Sequence, residues 1–232
     1  ERDLMINYDK ILNTEQRAVV TAGDGALLVL AAAGTGKTHT LVYRVASLIE
    51  RGVRPETILL LTFTNRAAKE MLERARKVCG DGVGAVWSGT FHHVCNRFLR
   101  RFGENIGFRS DFTILDRDDS LSMIDACVKE LKLKSKDFPK KNVIASLISN
   151  AASRNVPLEE VLEDSLEILK VDTDDILRVA KAYAAQKIES QAMDFDDLLL
   201  NGLRLIAEQD HIHEFYQERF AHILVDEYQD TN

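Results

Sequence analysis

Residues 26–38 read ALLVLAAAGTGKT, and the meaning of this stretch decides the fold. Leu27, Leu28, Val29 and Leu30 make a short apolar run suited to a buried strand, and a small-residue loop follows, ending in Gly34-Thr35-Gly36-Lys37-Thr38. Leu41, Val45 and Leu48 then recur on one face of a helix. Strand, glycine loop and helix in that order are the context of a phosphate-binding P-loop. Backbone N–H groups of such a loop, here from Ala33, Gly34, Thr35 and Gly36, point at phosphates, and the helix N-terminus adds partial positive charge. Lys37 reaches the β/γ-phosphates and the Thr38 hydroxyl ligates Mg²⁺, so ATP and Mg²⁺ are the expected cofactors. Ala31 stands where the strict motif has its first glycine, and as the smallest side chain with a Cβ it reads as a tolerated variant.

The chain has 232 residues, of which 45% are hydrophobic, enough to bury a core of one large or two smaller domains. Its longest apolar run, residues 26–33, is far below the ~20 residues of a membrane span, and no signal-peptide pattern opens it. Cys79, Cys95 and Cys127 are widely spaced, which indicates neither a disulfide framework nor a zinc site and fits a reducing cytoplasm. A net charge of −7 disfavours wholesale wrapping by nucleic acid, so any such contact must come from a local patch. Glu1 at the start and VDEYQDTN near the end read as cut points of a longer chain.

Outward from the glycine loop, LNTEQRAVV at 12–20 is an N-terminal helix with Asn13 as cap and Gln16 in its first turn. Downstream, Ile58 to Thr62 is a second buried strand leading into a helix over 66–78. Residues 85–88 are a third strand candidate, followed by Gly89-Thr90-Phe91-His92-His93 and another helix. Repeated strand-then-helix units signal a parallel α/β sheet. From about 103 to 191 only helical periodicity is found, which reads as an inserted all-helical subdomain within an α/β domain of residues 1–102 and 192–232. The α/β pattern returns with MDFDDLLLNGLRLIAE and a final strand, His222 to Val225, ending in Asp226-Glu227.

An apolar strand ending in Asp-Glu downstream of a P-loop is the Walker B arrangement: Asp226 can hold the Mg²⁺ shell and Glu227 can orient and deprotonate a water. In order, LNTEQRAV, AAAGTGKT, LTFTNRAAKEM, GTFHH, MDFDDLL and ILVDEYQDTN resemble the superfamily 1 DNA helicases of the UvrD/Rep/PcrA type. The resemblance covers nearly the whole chain. It implies a first RecA-like domain interrupted by a helical subdomain, with ATP-driven 3′-to-5′ translocation and unwinding. Its partners are then single-stranded DNA, the junction with duplex and a second RecA-like domain further along the chain. By the same resemblance Gln16 reads the adenine edge, and Gln229 couples the nucleotide state to the DNA groove. His39 stands where several members carry an arginine, which leaves its nucleotide contact open.

Phe63, with Thr62, Thr64 and Asn65, sits at a strand's C-terminal end, where an α/β sheet places ligands. A Phe after a buried strand is commonly core, but in the family this segment touches single-stranded DNA, and an aromatic there can stack on a base. Thr90, Phe91 and His92 occupy the equivalent end of the next strand; core or capping is the ordinary role for His92. Lys129, Lys132, Lys134, Lys136, Lys140 and Lys141 read as a solvated face, and Asp194, Asp196 and Asp197 as helix capping rather than a metal site. The alternatives are a helicase-nuclease motor subunit, a P-loop ATPase or kinase acting on small molecules, and a pure binding module. The resemblance also implies a strand between the Walker A and Walker B strands, supplied from beyond Asn232. The Val29 and Leu224 strands are therefore expected to pair directly or to borrow a strand, and the isolated chain to be a poor ATPase.

Overall fold

The structure, a computed structural model, describes residues 6–133, 138–169 and 173–231; Lys134 and Lys136 lie outside them. In chain order the elements are α1 (Tyr8–Ile11), α2 (Thr14–Thr21), α3 (Lys37–Glu50), β1 (Ile58–Leu61), α4 (Asn65–Cys79), β2 (Trp87–Gly89) and α5 (Phe91–Phe102). Next come β3 (Thr113–Ile114), α6 (Arg117–Glu130), α7 (Lys141–Arg154), α8 (Leu158–Leu169), α9 (Thr173–Glu189), β4 (Ala192–Met193), α10 (Phe195–Glu208), α11 (Asp210–Arg219) and β5 (His222–Val225). They pack as two units, residues 1–94 with 213–231 and residues 95–212.

The first unit is α/β. Its sheet is parallel in the order β2-β1-β5, with Leu60 opposite Ser88 on one side and Leu224 on the other. All four residues of β1 are buried, as a central parallel strand covered on both faces requires. Val45, Leu48 and Met71, from α3 and α4, close over Ile58 and Leu60 to make the core. Edge-to-face contact of Trp87 with Phe220, ring centroids 5.3 Å apart, fastens the end of α11 beside β2.

One expectation fails. Leu27, Leu28, Val29 and Leu30 form no strand and are 53%, 69%, 43% and 87% exposed. β1 has both edges taken by β2 and β5, and among the described residues no ladder extends the sheet at the outer edge of β5 or β2, so the segment has no strand to pair with. Direct pairing of the Val29 and Leu224 segments is likewise absent there, and Ile223 on β5 is left 60% exposed.

The second unit is mostly helical. Ile124, Ile144, Leu162, Ile176, Val179 and Tyr183 from four helices share one core. Its base is a two-residue parallel ladder, β3 with β4, which was illegible beforehand because two residues carry no period. The expected boundaries at 102/103 and 191/192 lie inside this unit, since α5 and α10 pack together in it. A Cβ on Gly202 of α10 would stand 2.7 Å from the Cys95 sulfur of α5. Asp194 and Asp197 form a reciprocal capping box at the start of α10, and no group among the described residues has three His, Cys, Asp or Glu placed to hold a metal. No described helix is long and apolar enough to cross a membrane.

These placements predict opposite outcomes for two leucines. Leu60→Ala should destabilise the chain by about 2–5 kcal/mol, because the cavity left beneath α3 and α4 cannot collapse. Leu30→Ala should stay within about 0.5 kcal/mol. Urea titration of both variants checks the pair, and a large loss at Leu30 would return that segment to the core.

Candidate functional site

The first unit brings the two motif ends together. Gly36, in the left-handed region at φ 87°, is the N-cap of α3, so the helix begins at Lys37 and its first N–H groups face the loop. Gly34 is also left-handed at φ 80°. The positive φ of Gly36 favours glycine there, and a Cβ would lie 2.9 Å from the Gln16 amide nitrogen, so a larger residue would also displace the Gln16 side chain. Thr35 closes the loop on itself, its hydroxyl donating to the Ala32 carbonyl at 2.8 Å. Ala33 is exposed at its apex.

Gln16 ties α2 to this loop. Its amide oxygen accepts from Asn13 N–H at 3.1 Å, completing the capping box of α2, and its amide nitrogen donates to the Thr35 carbonyl at 3.0 Å. Arg44 of α3 holds the far end of α2, donating to the carbonyls of Val20 and Gly23 at 3.0 Å each. A cavity of about 320 Å³ lies between α2 and the loop, lined by Gln16, Val19, Val29, Ala31 and Lys37. His39 leans along α3 onto Tyr43, ring centroids 4.7 Å apart.

On the opposite side stands the end of β5. Asp226 N–H donates to the Leu61 carbonyl at 2.9 Å, which carries the β1–β5 ladder one residue past the strand. The backbone then turns into the left-handed region at Glu227, φ 51°, a conformation costly for a side chain with a Cβ and held here by its surroundings. The turn presents the carboxylate to Lys37, whose ammonium lies 3.3 Å from Glu227 Oε2. Gln229 donates to the same oxygen. The Thr38 hydroxyl lies 3.5 Å from Asp226 Oδ2.

The two carboxyls are electrostatically unlike. Burial, then the neighbouring Glu227 charge, pushes Asp226 up. The Gln229 hydrogen bond, then Lys37, holds Glu227 below the usual carboxylate range. Lys37 and Glu227 are partly exposed, so their ion pair is screened and contributes little to stability.

A second cluster lies at the C-terminal ends of β1 and β2. Phe63 is 65% exposed and so is not a core residue. Thr62, by contrast, is buried: its N–H continues the β1–β2 ladder to the Gly89 carbonyl and its hydroxyl donates to the Thr64 carbonyl, which uses its one side-chain proton. Thr64 caps α4 through the Ala67 N–H, and Thr90 accepts from the His93 N–H at the start of α5. Asn65 and Phe91 are exposed at the two helix starts, and His92 is half-buried. Sequence reasoning missed the cleft of about 210 Å³ between these helix starts, lined by Asn65, Lys69, Ser88, Gly89 and His93. Ser88 Oγ is buried beside it without a hydrogen-bond partner. Lys69, one helical turn beyond Asn65, was the available signal. Arg100, further along α5, is spent on the carbonyls of Ser110 and Phe112.

Gln229→Ala should raise the Glu227 carboxyl toward the ordinary glutamate value, because it removes the largest influence holding it down. Carbon-13 NMR titration of the side-chain carboxyl reads this directly, and an unmoved titration would detach Gln229 from Glu227.

Comparison with known proteins follows the same lines. The chain is 39% identical over 222 residues to the ATP-dependent DNA helicase PcrA of Staphylococcus aureus (strain Mu50), covering 95% of this chain and 30% of that protein. Against PcrA of Bacillus subtilis (strain 168) identity is 39% over 223 residues, with the same coverage. PcrA of Staphylococcus epidermidis gives 38% over 224 residues, 96% of this chain and 30% of the relative. The chain thus spans about 30% of the length of the curated relatives it matches. The family model for the UvrD/REP helicase N-terminal domain matches residues 12–232, and the chain belongs to that family.

Proposed function

We propose that this chain is the ATP-binding part of an ATP-dependent DNA helicase that moves 3′ to 5′ on single-stranded DNA toward a junction with duplex, working in the cytoplasm together with a second RecA-like domain. The observation that carries the reading is the meeting of Lys37 with Glu227 and of Thr38 with Asp226, 190 and 188 residues apart in the chain. Curated relatives carrying the name ATP-dependent DNA helicase support it.

The chemistry follows from these groups. The first N–H groups of α3 and the Lys37 ammonium bind the triphosphate, whose oxygens compete with Glu227 for Lys37. Loss of that ion pair frees the Glu227 carboxylate to orient a water and take its proton. Asp226 and the Thr38 hydroxyl are hard oxygen donors, and one carboxylate plus phosphate oxygens is a donor set that suits Mg²⁺. When bound, that ion supplies charge neutralisation on the phosphates. Gln16 has one amide hydrogen left for an adenine edge, its other polar atoms serving Asn13 and Thr35. His39 extends this end of the nucleotide site. On the DNA side, Phe63 offers an open stacking face. Asn65, Thr64, Thr90, Phe91, His92 and Lys69 flank it at two helix N-termini that favour phosphate. Thr62 acts there through backbone placement only.

Lys37→Ala should abolish tight ATP binding in calorimetry while leaving the melting curve unchanged, whereas Glu227→Gln in the full-length protein should bind ATP and lose at least about 100-fold in turnover. Wild-type affinity in the first variant, or wild-type turnover in the second, would refute the assigned roles.

Phe63→Ala in the full-length protein should weaken single-stranded DNA binding by about 1–3 kcal/mol without changing the salt slope, since a stacking surface and no charge is removed. Fluorescence anisotropy at several salt concentrations measures both quantities. Unchanged affinity would remove Phe63 from the DNA path.

A further inference from the structure

The return from α9 to α10 in the helical unit carries a buried cation that the nucleotide and DNA readings leave unused. Lys187 is 7% exposed. Its ammonium lies 2.7 Å from Asp194 Oδ2 and 2.5 Å from Asp197 Oδ2. Each carboxylate has further donors: the Tyr183 hydroxyl and the Asp197 N–H bond to Asp194, and the Asp194 N–H bonds to Asp197. Tyr183 also lends its ring face, 4.3 Å from the ammonium. One buried cation therefore faces two carboxylates, and Lys187 is the one cation paired with either of them among the described residues.

The same short connection is pinned by its backbone. Gln191 adopts a left-handed conformation at φ 50°, its side-chain oxygen accepts from Arg109 N–H at 2.7 Å, and its amide nitrogen donates to the Gly107 carbonyl at 3.2 Å. Immediately after it, β4 pairs with β3. Two residues of ladder are too few to hold a strand without help. The connection is packed as well, with Ala192 and Met193 of β4 and Leu198 of α10 buried, but these residues stand outside the main helical core of Ile124, Ile144, Leu162, Ile176 and Val179.

We propose that Lys187, Asp194 and Asp197 form a charge-coupled latch that holds β4 and the first turn of α10 onto α9, and that this connection opens independently of the helical core when the latch is broken. Removing the cation leaves two largely desolvated carboxylates facing each other without it, which is costlier than removing the whole ion cluster. Asp197 is the strained member. Burial pushes its carboxyl up, only partly offset by Lys187 and reinforced by Asp194. Asp194, also pushed up by burial, is brought below its ordinary value by Lys187 and its hydrogen bonds.

Amide hydrogen exchange on the 232-residue chain tests the latch. Lys187→Met preserves the length of the side chain and should lower protection at Gln191, Met193, Asp194 and Asp197 by at least about tenfold, with Ile124 and Val179 unaffected. Adding Asp197→Asn to that variant should recover most of the lost protection, because one of the two uncompensated charges is gone. Uniform loss across the unit, no loss at the connection, or failure of the second substitution to restore protection would each overturn the proposal. Should Lys187→Met not fold, Asp197→Asn alone keeps the Lys187–Asp194 pair and should retain full protection at the connection. Loss there would overturn the latch equally.

Discussion

The parallel pairing of β5 with β1 is the constraint on which the α/β unit depends. β5 comes from the far end of the chain, yet its four residues lie in register against Ile58 to Leu61, and the ladder runs on through Asp226. Loop-closure entropy grows only slowly with length, so a helical unit with its own core can intervene without forbidding this pairing. Once β5 is in place, the positions of Asp226 and Glu227 follow from the end of the ladder. Everything proposed for the nucleotide site rests on that alignment.

What the ladder delivers is a graded electrostatic site. Asp226 sits deeper, where burial works against its charge, and a bound cation would relieve that penalty. Glu227 stands at the rim in a left-handed turn, with Gln229 and Lys37 favouring its ionised form. In the proposed function a triphosphate competes with Glu227 for the Lys37 ammonium, which would couple occupancy of the phosphate site to the freedom of the proposed base. Gln16 extends the coupling to the other wall, because the same side chain completes the cap of α2 and holds the loop carbonyl of Thr35.

The helical unit solves a different problem. Apolar residues from four helices supply its core, and its return connection adds to the buried Ala192, Met193 and Leu198 a charge cluster, the Gln191 side chain and a two-residue ladder. Packing energy is spread over many contacts and fails gradually, whereas a buried cluster with one cation fails when that cation is lost. In the proposed latch, a robust centre is combined with a connection that is sensitive to the loss of Lys187.

Sequence alone determined the glycine loop, the helices after it, the strands at β1 and β5, the carboxylate pair and the family resemblance. Each of these is written in local pattern: apolar runs, glycines before lysine, capping residues at helix starts. The same reading made Leu27 to Leu30 a buried strand, because four consecutive apolar residues have the length of one, whereas burial also needs a neighbouring strand and β1 had no free edge to offer. Local pattern was silent on β3 and β4, too short to have a period, and on the burial of Lys187. It assigned Thr62 and Phe63 alike to a DNA contact, weighing core against surface for Phe63, and could not say that Thr62 is buried on the ladder to Gly89 while Phe63 next to it is exposed. Tertiary structure decided these, because burial, pairing partners and the meeting of charges across 190 residues depend on which elements become neighbours, and no local window contains that information.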